Sequence, residues 1–368
     1  MTALQSATPG ASKNLRRLKK PLRVVAIGGG TGLSTLLKGL KCYVPTSADP
    51  SLAPTDDKPV IGELSAVVTV SDDGGSSGRL RKEFNMLPPG DVRNCIVALS
   101  EDEALLSRLF QHRFSKGSGL EGHSFGNLFL AALTSITGDF AEAVRLSAEI
   151  LLTRGHIYPA TGSNVELEAL MDDGSRIRGE TKITASKGHI KELFLIPPDV
   201  EPLAQTLEAI ANADLITMGP GSLFTSLIPN LLVHGIPQAI AESPAVKVYV
   251  CNLMTQANES LGLTAADHIR ALLQHAGGLS IFDYALINRN PAPAAMKAKY
   301  ALEGAAQIVN DLEAIEALGI CPVLGDYLEP GEIARHAADR VAYDLMDIAV
   351  QGRDSQQPSS GAPSRVTS

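Results

Sequence analysis

The chain has 368 residues, enough for one large α/β domain or two interleaved ones, and 32 Lys and Arg against 40 Asp and Glu leave a formal net charge of −8. That balance, with no Trp and 4% aromatic residues, argues against nucleic-acid binding, which wants a basic face and stacking rings. Four scattered cysteines (Cys42, Cys95, Cys251, Cys321) without a CxxC suggest neither zinc nor a disulfide framework, no run of 18 apolar residues spans a membrane, and the first twenty residues hold no signal-peptide core, so a reduced, cytoplasmic setting is expected.

Residues 1–21 read as a flexible basic arm. Lys13, Arg16, Arg17, Lys19 and Lys20, with Arg23 beyond them, have no acid between them, which suits either a solvated segment or contact with an anionic surface. Next the apolar run Val24–Ile27 stops at Gly28-Gly29-Gly30-Thr31-Gly32, after which Leu33, Leu36, Leu37 and Leu40 recur at helical spacing. Strand, glycine turn and helix follow from that order. Such a turn lets backbone N–H groups approach a phosphate, unless it is an ordinary βα turn that binds nothing. It is not the dinucleotide fingerprint G-x-G-x-x-G, because position 33 is Leu, and no Walker A sequence occurs.

The proline- and aspartate-rich stretch around 45–60 reads as an inserted loop. Leu64–Val70 is a second strand, ending in Ser71-Asp72-Asp73-Gly74-Gly75-Ser76-Ser77-Gly78. Asp72 and Asp73 suit a ribose contact, Mg²⁺ or a capped turn, and Asp91 and Asn94 can join them. The sequence Pro88-Pro89-Gly90 forces a turn, with Asp91 a candidate helix N-cap. Arg79 and Arg93 offer guanidinium forks to phosphate oxygens, or structural ion pairs. Helices are expected over 92–100, 102–112, Asn127–Ile136 and Phe140–Leu152, and His123, next to Gly122, either faces a ligand or is structural.

From about 160 to 197 the alternation flanking Asp172-Asp173-Gly174-Ser175, with His189–Ile196, predicts a small antiparallel β patch. The α/β rhythm then resumes with a helix over 201–212 and a strand Leu215–Met218. The turn Gly219-Pro220-Gly221-Ser222, followed by Thr225 and Ser226, repeats the logic of the first glycine turn. Strands Val246–Cys251 and Ile281–Asn288 and helices Ala266–His275 and 332–349 follow, and 351–368 is expected to be a disordered tail. The fold class is α/β: a Rossmann-like, mostly parallel sheet with an inserted antiparallel subdomain. Gly28–Gly32, Asp72–Gly75 and Gly219–Ser222 would then share one rim at the C-terminal strand ends.

The motifs IGGGTGL (Ile27–Leu33), VTVSDDGGSSGRL (Val68–Leu80), PPGDVRN (Pro88–Asn94), GHSFGN (Gly122–Asn127), SITGDF (Ser135–Phe140), GPGSLFTSLIP (Gly219–Pro229) and CNLMTQ (Cys251–Gln256) together resemble the bacterial gluconeogenesis factors, in the superfamily of 2-phospho-L-lactate transferases. The likeness covers about 22–350. It implies a UDP-sugar ligand of the UDP-N-acetylglucosamine type and a role in cell shape and envelope synthesis on gluconeogenic carbon, through a protein partner. The transferase cousins imply Mg²⁺ and a nucleotide-diphosphate donor. Phosphate and nucleotide contacts are expected from Gly28, Gly29, Gly30, Thr31, Gly32, Arg79, Arg93, Asn94, His123, Asn127, Gly219, Gly221, Ser222 and Thr225, and metal contacts from Asp72, Asp73 and Asp91. Three readings stand side by side: a UDP-sugar-binding regulator, a Mg²⁺-dependent transferase, and an NAD-dependent oxidoreductase. A homo-oligomer stays open.

Overall fold

The computed structural model describes residues 21–45, 60–101, 105–186 and 188–356. The basic arm before Pro21, the body of the expected insertion and residues 357–368 lie outside the described residues.

The first half runs β1 (Leu22–Gly28), α1 (Gly30–Lys41), β2 (Ile61–Val68), α2 (Gly75–Phe84), α3 (Gly90–Leu99), α4 (Leu105–Gln111), α5 (Phe125–Thr137), α6 (Phe140–Ile150) and β3 (His156–Pro159). The inserted part is β4 (Glu166–Met171), β5 (Arg176–Arg178), α7 (Glu180–Ala185) and β6 (Ile190–Ile196). Then come α8 (Ala204–Asn212), β7 (Leu215–Met218), a π-helical turn (Leu223–Leu227) continuing into α9 (Ile228–Leu231), α10 (Ile236–Glu242), β8 (Val246–Val250) and α11 (Ala265–His275). The chain closes with β9 (Tyr284–Asn288), α12 (Ala294–Ala301), α13 (Leu312–Glu316), β10 (Cys321–Gly325) and α14 (Ala338–Gln356).

Strand β1 is the axis. All but one of its residues are buried, as a central strand covered on both faces by helices requires. Leu33, Leu36, Leu37 and Leu40 of α1 are buried, so the helical stripe read from the sequence is the core face. The sheet order is β10-β9-β8-β7-β1-β2-β3, and every paired neighbour is parallel. The chain steps outward from β1 through β2 to β3, then returns on the other side of β1 at β7. The crevice between β1 and β7 is therefore the topological switch point, where open α/β sheets bind ligands.

The antiparallel patch is a separate three-stranded sheet, β5-β4-β6. Its β4–β5 turn is fastened by Asp173, whose Oδ1 accepts from the Ser175 amide at 2.8 Å and hydroxyl at 2.6 Å. The patch is pinned to the main body where His275 Nε2 accepts from the Leu193 amide at 3.0 Å.

Several features differ from the sequence reading, among them the short helices α2, α7, α9, α10, α12 and α13, which were not expected. The final helix starts at Ala338 rather than 332 and continues to Gln356, into the stretch expected to be disordered. Strands β3 and β10 were not expected; both are short, proline-bearing edge strands, where proline removes no needed ladder bond. Asp91 is not a helix N-cap: Pro89 holds that position and Asp91 lies in the first turn of α3. Among the described residues no single helix is long and apolar enough to cross a membrane.

Candidate functional site

Strands β7, β1 and β2 are neighbours, so their three following loops meet on one rim. The first two touch backbone to backbone. A Cβ added at Gly32 would lie 2.2 Å from the Pro220 carbonyl oxygen, and one at Gly29 would lie 2.5 Å from Thr69 Cγ2 and 2.8 Å from Asp91 Oδ2. Gly30 and Gly219 take φ of +63° and +84°, the left-handed region glycine favours. The second turn is held by Asn252, whose Oδ1 accepts from the Gly221 amide at 3.1 Å while Nδ2 donates to the Gly221 carbonyl at 2.7 Å. Ser222 Oγ donates to Gln256 Oε1 at 2.8 Å. Below the rim, Asn230 Nδ2 donates to the Gly28 carbonyl at 3.3 Å. Thr31 is exposed beside the first turn, whereas Thr225 is 4% exposed.

The three aspartates read as one set divide into different jobs. Asp73 Oδ1 accepts from the Thr181 amide at 2.8 Å and hydroxyl at 2.6 Å, so this oxygen caps the start of α7. Asp72 Oδ1 accepts from the Gly74 amide at 2.8 Å, an Asx turn that leaves Oδ2 on the Gly90 side. Asp91 accepts from the Gly30 backbone. Part of its surface opens to the cleft, yet the protein packed around it raises its pKa to about 6, with Asp72 adding to the rise. Among the described residues no group of three or more His, Cys, Asp or Glu side chains is arranged to hold a metal ion. Mg²⁺ is commonly held by one or two carboxylates with phosphate oxygens and waters, and the pair Asp72 and Asp91 fits that demand.

Further round the rim, α2, α3 and α5 bring the basic and amide groups into one network. Arg93 donates to Ser124 Oγ at 2.8 Å and to Asn94 Oδ1 at 2.6 Å, while its buried Nε has no hydrogen-bond partner among the described residues. Burial lowers the Arg93 pKa, and Arg113 nearby lowers it further. Ser124 is also the N-cap of α5, accepting from the Asn127 amide at 3.3 Å. His123 is 4% exposed and its Nδ1 lies 2.9 Å from Ser76 Oγ, to which Asn127 Nδ2 donates at 3.1 Å. Burial and then Arg79 hold that imidazole below its ordinary pKa, so it is neutral at pH 7. Arg79 itself donates to the Glu121 carbonyl at 2.7 Å, on the outer side of the loop.

Two acids of this rim were not read from the sequence. Glu180 begins α7 beside the Asp73–Thr181 cap, and burial followed by Asp72, Asp91, Asp73 and Glu259 pushes its pKa to about 9. Glu259 follows the Cys251–Gln256 motif, and burial pushes it to about 7, offset only in part by Thr225 close by. Neither acid sits in a glycine turn or a metal-ligand spacing, so no local signal marks them.

A cavity of about 390 Å³ lies elsewhere, lined by Arg23, Glu63, Tyr158 and Glu208 among others at the opposite strand ends. It contains none of the glycine turns, and Arg23 there is paired with Asp214.

The sequence profile of the 2-phospho-L-lactate transferase CofD family matches residues 24–328. The chain is 48% identical over 330 residues to a gluconeogenesis factor of Halalkalibacterium halodurans, covering 89% of this chain and 97% of that one. It is 46% identical over 332 residues to the gluconeogenesis factor of Bacillus subtilis, covering 90% and 98%. A crystal structure of a UPF0052-family protein from Bacillus halodurans superposes with a TM-score of 0.82 at 47% identity, covering 89% of this chain and 99% of the other.

Proposed function

The chain belongs to the 2-phospho-L-lactate transferase CofD family, and from that premise we propose that it binds a UDP-sugar of the UDP-N-acetylglucosamine type at the β7–β1–β2 rim and acts as a regulator of envelope synthesis and cell shape during growth on gluconeogenic carbon. The observation that carries the binding half is the seating of Gly32 against the Pro220 carbonyl. It puts two glycine turns side by side, and Gly29, Gly30, Gly32, Gly219 and Gly221 carry no side chain that would hold a ligand's phosphates away. The first opens the N-terminus of α1, whose amides favour an anion. The Arg93 guanidinium adds positive charge on the same rim, where it is held by Ser124 and Asn94. The relatives' name, gluconeogenesis factor, supports the link to gluconeogenic growth, and action through a protein partner is part of the proposal itself.

The Asp72–Asp91 pair supports a second reading, in which Mg²⁺ joins the diphosphate and the chain transfers a group as its transferase relatives do. An NAD-dependent oxidoreductase is the weakest reading, because Leu33 replaces the third glycine of the fingerprint. Thermal melts with UDP-N-acetylglucosamine, GDP and NAD, each with Mg²⁺ or chelator, test all three. A ligand at 100 times its Kd adds roughly 2.7 kcal/mol. The proposal expects the largest shift with UDP-N-acetylglucosamine; an equal or larger shift with NAD refutes it. Release of product from a nucleotide-diphosphate donor would favour the transferase.

A further inference from the structure

The cavity at the opposite strand ends has a lining that its place in the fold does not explain. The face of a parallel sheet beneath a helix is ordinarily apolar. Here Glu63 and Ser65 of β2 stand in register with Arg23 and Val25 of β1, and Tyr158 of β3 lies on the same side. Helix α8 faces them with Gln205 and Glu208, and the cavity of about 390 Å³ lies between. Two carboxylates of that lining lack a counter-charge. Among the described residues, neither Glu63 nor Glu208 has an ion pair or a hydrogen bond to its carboxylate. The nearest cation is engaged elsewhere. The Arg23 amide and Nε both donate to Asp214 Oδ2, at 2.8 and 3.3 Å, and Arg353 donates to Oδ1 of the same acid at 2.9 Å. Both glutamates lie close enough to the half-buried Tyr158 to add to the rise that burial gives its pKa.

The chain itself carries the complement. Strand β1 is entered from Pro21, and a Cβ added at Gly62 would lie 2.8 Å from Pro21 Cβ, so the preceding segment leaves the fold beside Glu63. That segment holds Lys13, Arg16, Arg17, Lys19 and Lys20, with no acid among residues 1–20. At about 3.3–3.6 Å per extended residue, Lys20 stands next to the exit and Arg16 reaches up to about 18 Å from it, well over the width of the cavity. Tethering also keeps the arm at an effective concentration of order mM, so pairings too weak to form between separate molecules are populated. We propose that the cavity between α8 and strands β1–β3 is the seat of the chain's own basic arm, with a lysine or arginine of residues 13–20 held between Glu63 and Glu208 beside the Tyr158 ring. The seated arm covers a polar sheet face and ties the entry of β1 to α8. The seat contains none of the glycine turns, so it stands apart from the nucleotide proposal.

The test is limited trypsin digestion of the full chain, with cleavage after Arg16 and Arg17 timed by mass spectrometry against cleavage after Arg365. In a protein carrying both Glu63→Gln and Glu208→Gln, cleavage in the arm should be at least about fivefold faster than in wild type, since cleavage tracks the undocked population. Salt at about 0.5 M should bring wild type to the same rate by screening the pairs. Carbodiimide coupling, which joins amines to carboxylates in contact, should link Lys13, Lys19 or Lys20 to Glu208 within the monomer at low salt. Lys19→Gln with Lys20→Gln repeats the comparison from the arm side and leaves the folded body untouched. Equal arm cleavage in wild type and the glutamate variant overturns the inference, whether both are fast, as for a solvated arm, or both slow, as for an arm seated elsewhere. Coupling of the arm to other acids without Glu208 overturns it as well.

Discussion

Replacing Gly32 by Ala tests whether the two glycine turns work as one unit. The new Cβ would start 2.2 Å from the Pro220 carbonyl oxygen and 3.1 Å from Gly221 Cα, and reaching even a 3.0 Å contact moves one backbone by about 0.8 Å. Neither neighbour is the end of a flexible side chain. Overpacking of this kind costs about 1–3 kcal/mol. Gly32 is the third residue of α1, and alanine there recovers up to about 1 kcal/mol of helix propensity, so a net loss of up to about 2 kcal/mol is expected. Tm should fall by about 2–4 °C per kcal/mol or less for a chain of this size. Nucleotide affinity should fall further, at least tenfold, because donors on one turn no longer reach a diphosphate held by the other. Gly331→Ala is the control, since nothing lies within 4 Å of its added Cβ. Differential scanning calorimetry and isothermal titration read both effects. A Gly32→Ala protein that melts and binds as wild type does would refute the reasoning.

Asn252→Ala removes both bonds to Gly221 and should cost about 1–3 kcal/mol, read mostly as lost nucleotide affinity; an unchanged Kd would show that the turn holds itself. Asp73→Ala should destabilise by about 1 kcal/mol through α7, while Asp73→Asn costs little, and chelator should not alter that difference. A chelator-dependent difference would return Asp73 to the metal. Burial holds His336 at about pKa 4 against an ordinary 6.5, with Nε2 donating to the Cys251 carbonyl at 3.0 Å. The unfolded chain therefore takes up this proton first as pH falls. The His336 contribution is complete above about pH 6.5 and is lost on the way down to pH 4, by roughly 3 kcal/mol at most. Denaturant midpoints of wild type and His336→Gln across that range should converge at the acid end; parallel curves would count against the assignment.

The rim was legible in the sequence because glycine turns announce themselves locally. An apolar run, a glycine burst and a leucine stripe name strand, turn and helix without reference to the rest of the chain, and adjacency of β7, β1 and β2 follows from doubly wound topology. What each side chain does there was not legible. Asp72 and Asp73 are chemically equal neighbours, and only the placement of α7, more than a hundred residues on, turns Asp73 into its cap. Asp91 reads as a cap from the preceding Pro-Pro-Gly, but α3 begins two residues earlier and the Asp91 carboxylate meets Gly30 instead. Glu180 and Glu259 were invisible because burial among other acids is a property of the folded neighbourhood. The Pro322 strand was missed because proline argues against a strand unless one knows that it lies at an edge.

The pairing of β1 with β7 has a consequence for how the protein is made. Arg23 and Asp214, at the start of that pairing, are 191 residues apart, and the two glycine turns are separated by nearly the same length. At roughly 5–20 residues per second, the first turn leaves the ribosome about 10–40 s before its counterpart exists. During that interval β1 has one flank open, and α1 has no Pro220 to pack against. The intervening β2 and β3, with the helices between them, can assemble on the other flank, but no two-turn cleft is present. Ligand recognition is thus a late event in the life of the chain, and a nucleotide can stabilise only molecules whose second half has already come home.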